Sequence, residues 1–133
     1  MNFPNYSDKV FLIVEDDDMS AEFLKDLLED TGAKVIVVSN ATDAIMEAHQ
    51  NKLLDLVLMD IQLPDMNGWQ ATRILKKVKK NLPIIIQSAY AFDTYIEKSK
   101  DAGCDFFISK PIEAELLLSH ISKLIDEKKE QEQ

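Results

Sequence analysis

Cysteine is all but absent from this chain. Cys104 stands alone among 133 residues, which excludes an internal disulfide and a paired-thiol metal framework and fits a reducing, cytoplasmic setting. Long apolar runs are also missing: no segment approaches the ~20 residues of a membrane span. Residues 1–8 carry no basic flank followed by an apolar stretch, so neither export nor membrane contact is expected. Positive charge is in deficit, with 15 Lys and Arg against 24 Asp and Glu. The resulting net charge of −9 repels nucleic-acid phosphates and anionic membrane surfaces, so no direct nucleic-acid partner is expected. Histidine occurs twice, as His49 and His120, with no triad or ligand partner at suggestive spacing, and both read as ordinary helix residues.

What is present suffices for one packed core. The chain is 46% hydrophobic and 29% charged, within the size of a single domain. VFLIV at 10–14 is a short β-branched run suited to a strand buried on both faces. From about residue 19 to 31 the period changes, with Leu24, Leu27 and Leu28 on one helical stripe and Glu22, Lys25 and Glu29 facing away, and Gly32 marks the stop. The unit repeats. KVIVVS at 34–39 leads through Asn40, an N-cap, into a helix over 41–50. LVLM at 56–59 ends on Asp60, and QLPDMNG leads into a helix over about 69–80. Strand 84–86 precedes a helix over about 94–102, and strand 106–108 precedes a last helix expected to bury Leu116, Leu117, Ile121 and Leu124. Five strands alternating with five helices, at spacings too long for hairpins, predict right-handed crossovers and a doubly wound parallel α/β sheet.

Ligands in such sheets bind beyond the carboxyl ends of the strands. There the sequence places Glu15, Asp16, Asp17 and Asp18 after the first strand, Asp60 after the third, Gln87 and Ser88 after the fourth, and Ser109 and Lys110 after the fifth. Converging carboxylates repel one another and call for a cation; oxygen donors without His or Cys favour Mg²⁺. The acidic run could instead serve only to cap the first helix. Asp60 weighs against that, because it ends an apolar strand ahead of a Pro- and Gly-containing loop. Lys110, followed by Pro111, can reach an anionic group beside the acids, and Ser88 supplies a hydroxyl. The set outlines a phosphoryl pocket in which Asp60 is the oxygen nucleophile.

These residues resemble the receiver (CheY-like) domain of two-component response regulators. VFLIVEDD resembles the family's first strand and acidic pair, LVLMDIQLPDMNG its phosphorylation loop, and PIIIQSAYA and AGCDFFISKPI its fourth and fifth strands. The likeness runs from residue 10 to about 124. It implies a flavodoxin-like (βα)5 fold with strand order 2-1-3-4-5, an extension at 1–8, a receiver domain at 9–127 and a solvated tail at 128–133. It further implies that Asp60 accepts phosphate from a histidine kinase or histidine phosphotransfer protein in a phosphorelay, then acts on a downstream protein target. Glu15, Asp16, Asp60 and the backbone carbonyl of Gln62 would hold Mg²⁺, with Asp16 the direct ligand of the acidic pair and Glu15 acting through water. Lys110 and Ser88 would contact the phosphoryl group, Ser88 and Phe107 would form the switch, and Gln62 and Tyr90 would tune phosphate lifetime. Phosphorylation and dephosphorylation would be self-catalysed, with no output enzyme. Two residues depart from the commoner pattern, Glu15 for Asp and Ser88 for Thr.

Asp17 and Asp18 offer a second register for the acidic pair, set aside because Val14 ends the buried run. Asp65 reads as solvent-facing. Met19 and Phe23 suit either core packing or a docking patch for the phosphodonor. A haloacid-dehalogenase-type phosphatase would require a second Asp where Gln62 stands, and an FMN carrier a glycine- and hydroxyl-rich loop where the acids stand. A pseudo-receiver would lack one of Asp16, Asp60, Ser88 and Lys110. The QSAYA and AGCDFFISKPI strings resemble receivers attached to hybrid sensor kinases.

Overall fold

The computed structural model describes residues 3–132, with side chains through residue 130; Met1 and Asn2 of the expected extension and Gln133 of the expected tail lie outside the described residues. Five β/α units follow in order: β1 (Val10–Val14), α1 (Asp18–Glu29), β2 (Lys34–Val38), α2 (Ala41–Gln50), β3 (Leu56–Asp60), α3 (Gly68–Val78), β4 (Ile84–Ser88), α4 (Asp93–Ala102), β5 (Phe106–Ser109) and α5 (Ala114–Glu132). The strands form one parallel sheet in the order β2-β1-β3-β4-β5. This is the fold and strand order expected from the sequence.

The period-two alternation of each strand divides the core into two layers. Phe11, Ile13, Leu56, Leu58, Ile85 and Ile108 pack with Leu24, Leu28, Leu117 and Ile121 of α1 and α5. Leu12, Val14, Val57, Met59, Ile84 and Ile86 pack with Ala44, Ala48, Ala71 and Leu75 of α2 and α3. The central strands β3 and β4 are buried at every position, which is why their sequences are apolar runs with no alternation. Edge strand β2 is half-exposed. Tyr6, inside the stretch expected as an extension, packs in the core edge-on to Phe11, and its hydroxyl lies 2.6 Å from Ser122 Oγ. At the other end, α5 continues as helix to Glu132, into the segment expected as a solvated tail.

Helix starts follow the capping chemistry of short polar side chains. Asp17 accepts from the Ser20 N–H, Asn40 from Asp43 and Asn67 from Gln70. One stripe differs from expectation. In α5 the buried residues are Leu117, Leu118, Ile121 and Ile125, whereas Leu116 is 42% exposed and Leu124 only half-buried. The i, i+1, i+4, i+8 set is as regular as the expected one, and the helix's rotation against the sheet, which periodicity alone does not specify, selects it.

Candidate functional site

Glu15 and Asp60 continue the alternation of Ile13 and Leu58, so both carboxylates emerge on the α1/α5 side of adjacent strand ends. Each is buried, Asp60 being 7% exposed. Glu15, Asp16 and Asp60 each offer a carboxylate oxygen within 4.8 Å of the others. The next two acids of the run do not join that carboxylate group. Asp17 is occupied as the α1 N-cap, and that hydrogen bonding holds its carboxyl below the usual range, while Asp18 is already the first residue of the helix.

Lys110 arrives from the end of β5, where its N–H donates to the Ser88 carbonyl (2.8 Å) and its bond to Pro111 is cis. Its Nζ donates to Glu15 Oε1 at 2.7 Å and stands 3.5 Å from Asp60 Oδ2. Burial pulls the ammonium pKa down, but the Glu15 hydrogen bond and the Asp60 and Glu15 charges outweigh it, leaving the group above its ordinary value. For Asp60 the balance runs the other way. Burial first, then the hydrogen bond and charge of Glu15, push it up to about 7 against the opposing pull of Lys110 and of the Ile61 N–H, which donates to Oδ1 at 2.9 Å. Two carboxylates with one ammonium between them thus leave an excess of negative charge in a desolvated corner. Hard oxygen donors so crowded fit a small divalent cation such as Mg²⁺.

The cleft over these groups is lined by Glu15, Asp16, Asp17, Asp60, Gln62, Ser88, Ala89, Tyr90 and Lys110. Ser88 is buried, and its Oγ accepts the Tyr90 N–H at 3.0 Å. Phe107 stands outside the cleft, half-buried against the α2/α3 layer and in register with Ile86. Cys104 is half-buried, and burial pushes its thiol up to about 11.

Four features were not read from the sequence. Asp65 is exposed as expected, yet its carboxylate accepts from the Ala41 N–H, the Thr42 N–H and Thr42 Oγ1 at 2.6–2.9 Å, clamping the β3–α3 loop to the start of α2. Gly68 must lack a side chain, because a Cβ there would lie 2.1 Å from the Asp60 carbonyl oxygen. Gln87, the in-register neighbour of Asp60, is fully buried, and among the described residues neither of its amide atoms has a hydrogen-bond partner. Tyr90, which lines the cleft, belongs to an aromatic group with Phe92, Tyr95 and Trp69. The Asp65 clamp joins segments more than twenty residues apart and carries no local signature. Gln87 does have one, a polar residue in an apolar strand.

Comparison with known proteins bears on this geometry. A family model described as the response regulator receiver domain matches residues 11–122. The polar-differentiation response regulator DivK of Brucella anthropi is 36% identical over 106 residues, covering 78% of this chain and 85% of that protein. A CheY-like response regulator receiver domain protein from Methanospirillum hungatei superposes with a TM-score of 0.87 at 31% identity, over 92% of this chain and 98% of that one. The receiver domain of a sensor histidine kinase from Pseudomonas aeruginosa, described with a magnesium ion coordinated in its active-site cleft, gives 0.82 at 27% identity, over 89% and 98%. No described helix is long and apolar enough to cross a membrane.

Proposed function

The chain belongs to the response regulator receiver family and is a receiver domain of two-component signalling, and from that premise we propose the roles of its residues. Asp60 is the phosphoacceptor. One carboxylate oxygen attacks the phosphorus of a phosphohistidine on a histidine kinase or phosphotransfer protein; the P–N bond breaks, and the electron pair leaves with the imidazole. Glu15, Asp16, Asp60 and the Gln62 backbone carbonyl would hold Mg²⁺. Bound there, Mg²⁺ supplies positive charge that offsets the acids and the phosphoryl oxygens. Lys110 lies where its ammonium can transfer from Glu15 to a phosphoryl oxygen, and Ser88 can donate its hydroxyl to another. Drawing Ser88 inward vacates space beside Phe107, whose reorientation alters the surface of α4, β5 and α5 presented to a downstream protein. Gln62 and Tyr90, at the cleft mouth, govern how long the acyl phosphate survives. The receiver body is assigned to residues 9–127, with Tyr6 strapped onto it.

The observation that carries this reading is the meeting of Glu15, Asp16, Asp60 and Lys110 from three strand ends in one cleft. Incubation with acetyl phosphate and Mg²⁺, followed by intact mass, is expected to add one phosphate to the wild-type chain and none to Asp60→Asn or to wild type with a chelator. Labelling that persists without a divalent ion, or that survives in Asp60→Asn, overturns the assignment; an unmodified wild-type chain favours a pseudo-receiver.

A further inference from the structure

Tyr90 is placed at the cleft by two independent restraints. Its N–H donates to Ser88 Oγ at 3.0 Å, tying its backbone to the hydroxyl that faces the phosphoryl pocket. Its ring is stacked on Phe92, with centroids 6.0 Å apart and planes at 13°, and meets Tyr95 edge-on at 5.8 Å. Phe92 in turn meets Tyr95 at 5.9 Å, so the three rings close a triangle. Tyr95 is itself held edge-on by Trp69 at 5.1 Å, and Ser99 fastens that pair by accepting from Trp69 Nε1 while donating to the Tyr95 carbonyl.

Phe92 is the most exposed ring of the group. It precedes α4 at the N-cap position but makes no side-chain cap hydrogen bond, and it is 62% exposed. It does not line the cleft, whereas Tyr90, 45% exposed, does. Its aromatic contacts are with Tyr90 and Tyr95, and such ring pairs contribute beyond the area they bury.

We propose that Phe92 is a positioning residue for the lifetime of the Asp60 acyl phosphate, holding the Tyr90 ring across the cleft mouth so that water is kept from the phosphorus. This rests on the reading of Asp60 as phosphoacceptor. The step it controls is hydrolysis: water attacks phosphorus, the bond from phosphorus to the Asp60 carboxyl oxygen breaks, and inorganic phosphate and the free carboxylate are released with a proton to solvent. When Ser88 turns toward the phosphoryl group, the Tyr90 N–H loses its acceptor, and the ring triangle becomes the remaining restraint on Tyr90. The single tryptophan reports on it, since Trp69 touches Tyr95.

The test is loss of phosphate from the phosphorylated chain, followed by intact mass after removal of donor. Phe92→Ala and Tyr90→Ala are each expected to shorten the half-life roughly two- to tenfold, the range an aromatic pair's preference amounts to as a rate. The double variant should match Tyr90→Ala alone, because Phe92 acts only through that ring, and Phe92→Tyr, which keeps a stackable ring, should restore the wild-type half-life. Leu53→Ala, exposed in the loop before β3, should leave it unchanged. In the unphosphorylated protein, Phe92→Ala should also change Trp69 emission without lowering the melting temperature. An unchanged or longer half-life in Phe92→Ala, or additive losses in the double variant, overturns the proposal while leaving Asp60 as acceptor; wild type that takes no phosphate overturns both.

Discussion

Asp60 carries the conflict on which the site is built. Its carboxyl is buried beside Glu15, and burial followed by the Glu15 contacts raises its pKa to about 7, although Lys110 stands 3.5 Å away. The folded chain therefore binds that proton more tightly than the unfolded chain, whose aspartate titrates near 3.8. The stabilisation this gives is complete below the unfolded value and is lost as pH rises through about 7. Asp60→Asn removes the charge and keeps the shape. In chelator-treated buffer it is expected to melt at or above wild type, with a gap that widens from pH 5 to pH 8 and reaches several degrees, on the order of 1 kcal/mol. Thermal denaturation at four or five pH values checks it, and a gap that narrows with rising pH contradicts it. Gln87 beside it poses a different cost, a fully buried amide with no partner among the described residues. A buried amide left unpaired costs about 1–3 kcal/mol per group.

At the scale of elements, the β3–α3 loop is held from both ends. Gly68 lets α3 begin against the Asp60 backbone, where its N–H donates to the Ile61 carbonyl at 2.7 Å. Asp65 reaches across to α2, and its three hydrogen bonds from Ala41 and Thr42 drop its pKa far below the ordinary carboxylate range. A depressed value means that the stabilisation is present above the unfolded pKa and vanishes as pH falls through the folded one. Asp65→Ala is therefore expected to cost about 1 kcal/mol at pH 7, the scale of a lost helix cap, and progressively less below pH 4. Urea denaturation of both proteins at pH 7 and pH 3 checks this; an undiminished difference at pH 3 contradicts the carboxylate's role. The same loop shows why sequence reading stops short. PDMNG is legible as a turn and Asn67 as an N-cap, but the acceptor role of Asp65 toward a helix more than twenty residues earlier needs the chain to be folded.

For the whole molecule, the sheet order brings β1, β3 and β5 together around the acids, so a ligand that binds there stabilises the entire fold. Mg²⁺ at roughly ten times its dissociation constant is expected to add about 1.4 kcal/mol, raising the melting temperature of wild type. Asp16→Ala should lose most of that shift while starting from a similar baseline, since Asp16 is exposed. Calcium- and magnesium-titrated melting curves test it, and an equal shift in both proteins would place the ion elsewhere.

The strands, the helices and the candidate set Glu15, Asp16, Asp60, Ser88 and Lys110 follow from the chain itself, because hydrophobic period, breakers and residues at or just past strand ends are local properties. Local period left the rotation of α5 undecided, and packing against the sheet exposed Leu116 and buried Leu118 instead. Tertiary structure also decided that Asp17 caps while Asp16 groups with Glu15 and Asp60, that Lys110 bonds Glu15 ahead of Asp60, and that Phe92 and Tyr95 bracket Tyr90. Each of these is a choice among side chains equally able to play the part, and only distances between segments remote in sequence distinguish them.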